Sequence, residues 1–332
     1  GGGMTDSQPG WQQWHDEAEP IRIGISSCLL GQKVRFDGGH KRDRYLNDVL
    51  GQWLTWVAAC PELEIGLGVP RPTIRLEGGQ TGVRLVEPKG GLDLTEKMET
   101  YSESKVKDLQ RADLDGFILK KGSPSCGMER VRVYGKGGVP TRNGVGVFAR
   151  VLMERCPNLP VEEEGRLNDP VLRERFIAHV FCRHRWRSME RKGLTRRRLV
   201  EFHTAHKLQL RSHNEASYRR LGRIVASAGT LPDSELFQSY EDELHTALST
   251  RPSSKRHTNV LYHALGYLKK VLSPFEKQEL LQLIEDYRTG LVPLVVPITL
   301  LRHHVVKHEI PYLEGQLYLE PHPKELMLRN RV

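Results

Sequence analysis

The chain has 332 residues, of which 27% are charged, 38% hydrophobic and 7% aromatic. That composition belongs to folded globular domains and excludes a disordered, collagen-like or disulfide-stapled chain. The length predicts about two domains, and with no apolar run of about 18 residues no membrane helix is expected. The net charge is +9, and it is unevenly spread: residues 1–160 carry 22 basic and 20 acidic side chains, whereas residues 171–332 carry 27 and 17. A positive field on one module points to a polyanionic partner, most often nucleic acid.

In chain order, Gly1-Gly2-Gly3 reads as a tag scar before Met4, and residues 1–20 as a mobile polar leader. No apolar core of a signal peptide follows, so a cytoplasmic protein is expected. Ile21 to Ser26 reads as a β-branched strand, Asp43 to Gln52 as a helix, and Leu54 to Ala59 as a second strand. Helical spacing follows over Leu94–Leu109, a third strand over Gly116–Lys120, a helix over Gly144–Arg155 and a last strand within 158–170. Beyond Pro170 the apolar period is helical almost throughout, with starts and breaks at Pro170, Thr195, Pro252 and Pro274. The fold class expected is an α/β N-terminal domain over 21–160, with an open Rossmann-like sheet whose strand-end loops form the site. An all-α C-terminal domain follows over 171–332.

The five cysteines are Cys28, Cys60, Cys126, Cys156 and Cys182. Their number is odd and no Cys-x-x-Cys occurs, which argues against a disulfide framework and against zinc ribbons. Cys28, Cys60 and Cys126 each stand just past an expected strand, where open α/β sheets bind ligands. Soft thiolates there would take zinc, copper(I) or an iron–sulfur cluster, and a zinc ion would need a fourth donor, for which His40 is nearest. Glu62 lies two residues after Cys60 and Ser123 three before Cys126, a carboxylate and a hydroxyl suited to proton transfer at a bound substrate. Neither a dinucleotide fingerprint nor a phosphate-binding loop is present, so no nicotinamide cofactor is expected.

Ser27-Cys-Leu-Leu-Gly31 with Val34-Arg-Phe-Asp-Gly38, Cys60-Pro-Glu62 with Gly68-Val-Pro-Arg-Pro72, and Lys121-Gly-Ser-Pro-Ser-Cys-Gly127 together resemble the three signatures of the bacterial thiouracil desulfidase family. The run after Glu62, Leu63-Glu-Ile-Gly-Leu-Gly68, departs from the family's usual glycine-rich form. The resemblance implies a 4Fe–4S cluster held by Cys28, Cys60 and Cys126, with Glu62 and Ser123 catalytic and Ser125 the competing choice. It implies that an open iron binds a thiocarbonyl sulfur while water, activated by Glu62, attacks the ring carbon without net redox change. The second module, through Phe202-His-Thr-Ala-His-Lys-Leu-Gln-Leu210, Arg256-His-Thr-Asn-Val260 and Tyr287–Leu294, resembles a helical domain often fused to that family. The fused arrangement is similar to the desulfidases that remove sulfur from 4-thiouridine in tRNA, giving uridine. Free thiouracil or thionucleosides are the alternative substrates, and a non-catalytic RNA-binding or redox-sensing protein with a structural metal is the alternative class.

For RNA, Arg183, Arg187 and Arg191 fall at i, i+4 spacing on one helical face. They predict a phosphate-binding ridge, extended by Arg196 and Arg197 and by Lys207 and Arg211 beside His203 and His206. Trp186 and His184 are candidates for base stacking, and His303 and His304 for metal binding.

Overall fold

The computed structural model describes residues 10–332. It divides into one unit of Pro20–Asn168 and one of Asp169–Val332 joined by the N-terminal segment that ends at Glu19. The strands are Arg22–Ser26 (β1), Thr55–Ala59 (β2), Arg75–Gly79 (β3), Gly82–Glu87 (β4), Leu92–Asp93 (β5), Gly116–Leu119 (β6), Val131–Tyr134 (β7), Thr141–Gly144 (β8) and Val161–Glu163 (β9). The helices of this unit are Pro61–Glu64 (α1), Thr95–Arg111 (α2) and Val147–Arg155 (α3).

β1, β2, β6 and β9 form a parallel sheet in the order β2-β1-β6-β9. β6 is Gly-Phe-Ile-Leu and is buried at all four positions, the continuous apolar run of a strand covered on both faces. Val106 and Leu109 of α2, and Phe148, Val151 and Leu152 of α3, pack with Phe117 and Leu119 of β6 into one core. The chain runs from β1 outward to β2 and then returns to β6 on the other flank of β1. A crevice therefore opens beyond the carboxyl ends, where the winding reverses.

A second sheet, order β5-β4-β3-β7-β8, is not foreseen from the sequence. Its strands are short, and β3 (Arg-Leu-Glu-Gly-Gly) and β8 (Thr-Arg-Asn-Gly) lack the β-branched alternation that marks a strand. It coheres through one apolar face, Leu76, Leu85, Val131 and Val133 against Met98 and Val147. The helix expected over Asp43–Gln52 winds instead as a π-turn, Tyr45–Val49, and a 3-10 turn, Leu50–Trp53.

The second unit is all helical: Pro170–Gly193 (α4), Arg196–His213 (α5), Glu215–Ala226 (α6), Asp233–Ser249 (α7), Ser254–Gly266 (α8), Pro274–Arg288 (α9), Val295–His308 (α10) and Pro311–Glu314 (α11). Asp169 starts α4 by accepting the Val171 and Leu172 amides, with Pro170 at the first helical position. Two cores share α5: Phe202 and Leu210 join one with α4, α6 and α7, and Leu208 joins the other with α8 to α10. α10 opens in an apolar segment with Pro297 in its first turn, where a missing amide costs nothing. The leader expected as mobile is ordered from Gly10 onward; residues 1–9 lie outside the described residues. Gly10–Trp14 forms a 3-10 turn, the Trp11 amide donates to the Glu320 carbonyl, and Trp14 meets Phe202 edge-on at 5.9 Å. Two tryptophans in an otherwise polar segment supply enough apolar area to hold it down. Among the described residues no helix is long and apolar enough to cross a membrane.

Candidate functional site

Each of the three spaced cysteines is carried by a loop leaving the carboxyl end of a parallel strand. Cys28 sits in the 3-10 turn Ser27–Leu30 that follows β1. Cys60 follows β2 and is the N-cap residue of α1. Cys126 follows β6 in a loop locked onto the start of α3: the Val147 and Ala149 amides donate to the Pro124 and Ser125 carbonyls. Two glycines allow that closeness. A Cβ on Gly146 would stand 2.5 Å from the Ser125 carbonyl, and one on Gly127 would stand 2.8 Å from the Ser123 carbonyl.

The three cysteines line one cavity of about 240 Å³ with Arg35, Phe36, Glu62, Arg71, Lys120, Lys121, Ser123 and Ser125. Burial pushes all three thiols up, Cys126 to about 12, so a cationic centre is needed to hold them as thiolates. Lys120 and Arg35 oppose that rise at Cys28, and Arg71 opposes it at Cys60. The Ser125 hydroxyl donates to the Cys126 sulfur at 3.8 Å, and Ser26 adds a second hydrogen bond.

The spacing bears on which centre fits. Among the described residues the three sulfurs are not a set lying within 4.8 Å of one another. One tetrahedral zinc at about 2.3 Å from each would draw them to within about 3.8 Å. A cluster spreads its cysteine ligands over separate irons, so three wider-set thiols with sulfur-directed hydrogen bonds suit it. His40, the donor expected to complete a zinc site, is exposed and does not line the cavity.

Glu62 lies at the mouth of α1, and its carboxylate is held by a residue to which sequence reasoning assigned no role. Arg71 is buried, its side chain only 3% exposed, and its Nε and Nη2 both donate to Glu62 Oε2, at 3.2 and 2.8 Å. Its remaining donors go to the Gly68 and Val34 carbonyls at 2.8 and 2.7 Å. Among the described residues Glu62 Oε1 has no hydrogen bond, which leaves it to accept a proton or a water. Arg71 stands in the quoted Gly68–Pro72 signature, yet its pairing with Glu62 depends on a turn that spacing alone does not reveal.

The two serines separate by position. Ser123 Oγ accepts from the Ser125 and Cys126 amides at 3.2 and 3.0 Å and is only half-buried. Ser125 is buried at 1% exposure and is committed to the Cys126 sulfur and to Ser123 Oγ at 3.0 Å. Ser123 is thus the hydroxyl open to a ligand, and Ser125 the one turned to the sulfur. Glu163, at the end of β9, accepts the Met128 amide, and burial pushes its carboxyl up to about 7.

The residues expected to form an RNA ridge are drawn into ion pairs to different degrees. α4 is buried along most of its length, so Arg183 and Arg187 are half-buried beside Glu241 and Glu190 instead of standing free, and Arg191 pairs with Glu19. Arg196 pairs with Asp233, Arg197 with Glu201 and Arg211 with Glu215, while Lys207 is half-buried. Of the seven, Arg197 is the most exposed, at 89% of its side chain. Trp186 is core, stacked on Tyr240 at 5.4 Å, and His184 is buried. His203 and His206 are buried too, and burial holds both neutral, His203 pushed down to about 4. Helical spacing gives the angle of a side chain; it does not tell which neighbour covers it.

Two family models match the chain. One, described as 2-thiouracil desulfurase, matches residues 23–164; the other, described as a protein of unknown function, DUF1722, matches residues 207–323. The uncharacterized protein YbgA of Escherichia coli K12 is 31% identical over 155 residues, 46% of this chain and 92% of that protein. The uncharacterized protein YbbK of Bacillus subtilis 168 is 32% identical over 155 residues, 44% of this chain and 98% of that protein. Among solved structures, a 4Fe-4S-dependent thiouracil desulfidase, TudS, is 32% identical, with 45% of this chain and 94% of that one covered and a TM-score of 0.36.

Proposed function

The chain belongs to the 2-thiouracil desulfurase family through residues 23–164, and from that membership we propose that it is an iron–sulfur desulfidase whose substrate is 4-thiouridine in tRNA. Cys28, Cys60 and Cys126 hold a 4Fe–4S cluster through three ligands. The observation that carries this reading is the convergence of three separate strand-end thiols on one cavity beside an arginine-clamped glutamate. The relative whose name states 4Fe–4S dependence supports the choice of cofactor.

When bound, the cluster supplies a soft Lewis acid for which a thiocarbonyl sulfur is a better partner than a carbonyl oxygen. The chain's own residues do the rest. Arg71 fixes Glu62 through Oε2 and leaves Oε1 without a partner, so that Oε1 takes the proton of the attacking water. Ser123, half-buried at the cavity wall, is placed to hydrogen-bond the heterocycle as sulfur leaves. Phe36 and Pro61 offer apolar walls, and Lys121 and Arg35 leave the rim positive for a phosphate-bearing substrate. The overall change is hydrolytic: C=S and water give C=O and hydrogen sulfide, with no electron donor or acceptor.

The choice of tRNA over free base rests on charge. Residues 171–332 carry ten more basic than acidic side chains, and surface ion pairs such as Arg197–Glu201 are weak enough to yield to phosphate. The test is anaerobic purification with iron and sulfide analysis, followed by incubation with 4-thiouridine tRNA and with free thiouracil. Four irons per chain and uridine formed in tRNA at a higher kcat/KM than with free base are expected. A colourless protein inactive after anaerobic reconstitution contradicts the chemistry; equal or greater kcat/KM on free base contradicts the tRNA assignment.

A further inference from the structure

We propose that Glu276, His304 and His308 form a second metal site, separate from the cysteine cavity and suited to zinc or a similar divalent transition ion. The site joins the first turn of α9 to the last turn of α10. One donor atom of each residue lies within 4.8 Å of the other two. His304 and His308 are at i, i+4 and so share a face of α10; Glu276 faces them from α9, its Oε2 3.4 Å from His304 Nδ1.

The imidazoles are short of partners. His304 is 3% exposed, yet neither of its ring nitrogens makes a hydrogen bond, and the buried Nε2 of His308 makes none either. Desolvated nitrogens left unpaired cost free energy that a bound ion would recover. The carboxylate is pre-set: Ser273 and Glu276 form a capping box, in which the Ser273 amide donates to Oε1 at 3.0 Å and leaves Oε2 toward the histidines. At present Oε2 is partnered by Lys307 at 3.3 Å, a cation on a half-exposed side chain that an ion would displace.

The donor set selects the metal class. Two imidazoles and a carboxylate suit zinc or another borderline transition ion, whereas magnesium and calcium favour all-oxygen shells. Three donors leave a fourth position for water. Zinc at about 2.1 Å from each donor needs donor pairs about 3.4 Å apart, so small side-chain rotations complete the site. His303, the neighbour expected to pair with His304, is exposed and takes no part.

The experiment is zinc titration of the cluster-loaded protein, without oxygen, against a chromophoric chelator. One tight zinc per chain is expected. Affinity should fall about 100-fold in His308→Gln and at least about tenfold in Glu276→Gln, and should rise in Lys307→Met. His308 and Glu276 are less buried than His304, so these variants report even if His304→Gln unfolds. Ser123→Ala, which alters only the cysteine cavity and leaves the cluster loaded, should still bind the ion. No tight zinc in the native protein means that the histidines hold water only, and overturns the proposal. So does undiminished zinc binding in both His308→Gln and Glu276→Gln.

Discussion

The two units handle polar residues in opposite ways. In the α/β unit the reactive side chains stand just past the strand ends and are aimed by hydrogen bonds: Cys126 by the amide bonds into α3, Cys28 by its 3-10 turn, Glu62 by the Arg71 side-chain clamp. In the helical unit the polar residues lie within helices and are absorbed by packing; His203, His206, His257 and Trp186 are all core. Loops at the ends of parallel strands are free to present chemistry because the strands already provide the core. A helix buried on most sides presents only the stripe its neighbours leave.

The largest effect that sharpens this contrast is expected at the clamp. Glu62→Gln and Arg71→Met should each lower kcat on thiolated substrate by about 10²- to 10³-fold with iron content unchanged. The double variant should be little worse than either single, because the two act as one unit. Full additivity would show that Arg71 does not act through Glu62.

The paired serines come next. Ser123→Ala should lower kcat about tenfold or more at constant iron. Ser125→Ala should instead shift the cluster's visible spectrum or its lability to oxygen, because it removes a hydrogen bond to the Cys126 sulfur. If the two phenotypes are exchanged, the assignment of Ser123 to substrate is wrong.

In the helical unit, Arg197→Ala should weaken tRNA binding severalfold and reduce the slope of log affinity against log salt by about 1. Arg183→Ala should lower the melting temperature instead, because its guanidinium is half-buried beside Glu241. The smallest effect is at Glu163. Its folded-state pKa is raised to about 7 from an ordinary value near 4.5, so between those values the folded state holds more protons than the unfolded one. Stability from this group is present below pH 4.5 and is lost as pH rises to about 7. Glu163→Gln should therefore melt higher than the native chain at pH 8, with the advantage gone by pH 4.5.

How much the sequence discloses follows the same division. The α/β fold and the cysteine loops are legible because β1, β2 and β6 are short β-branched or apolar segments and each cysteine stands in a short signature beside one of them. Arg71 was not legible as a positioning residue, since its bond to Glu62 is made across a turn. The second sheet escapes because β3 and β8 are polar and glycine-bearing. On α4, period gives the angle of a side chain, while the partners that half-bury Arg183 and stack on Trp186, Glu241 and Tyr240 of α7, come from far along the chain.

The central claim is that three distant thiols share one inorganic centre. The direct measurement is iron and acid-labile sulfide per chain, after anaerobic reconstitution, in five single Cys→Ser variants. Cys28→Ser, Cys60→Ser and Cys126→Ser should each lose most of the bound iron and the visible absorption, while Cys156→Ser and Cys182→Ser keep both. Iron retained in any of the first three, or lost in either of the last two, contradicts the account.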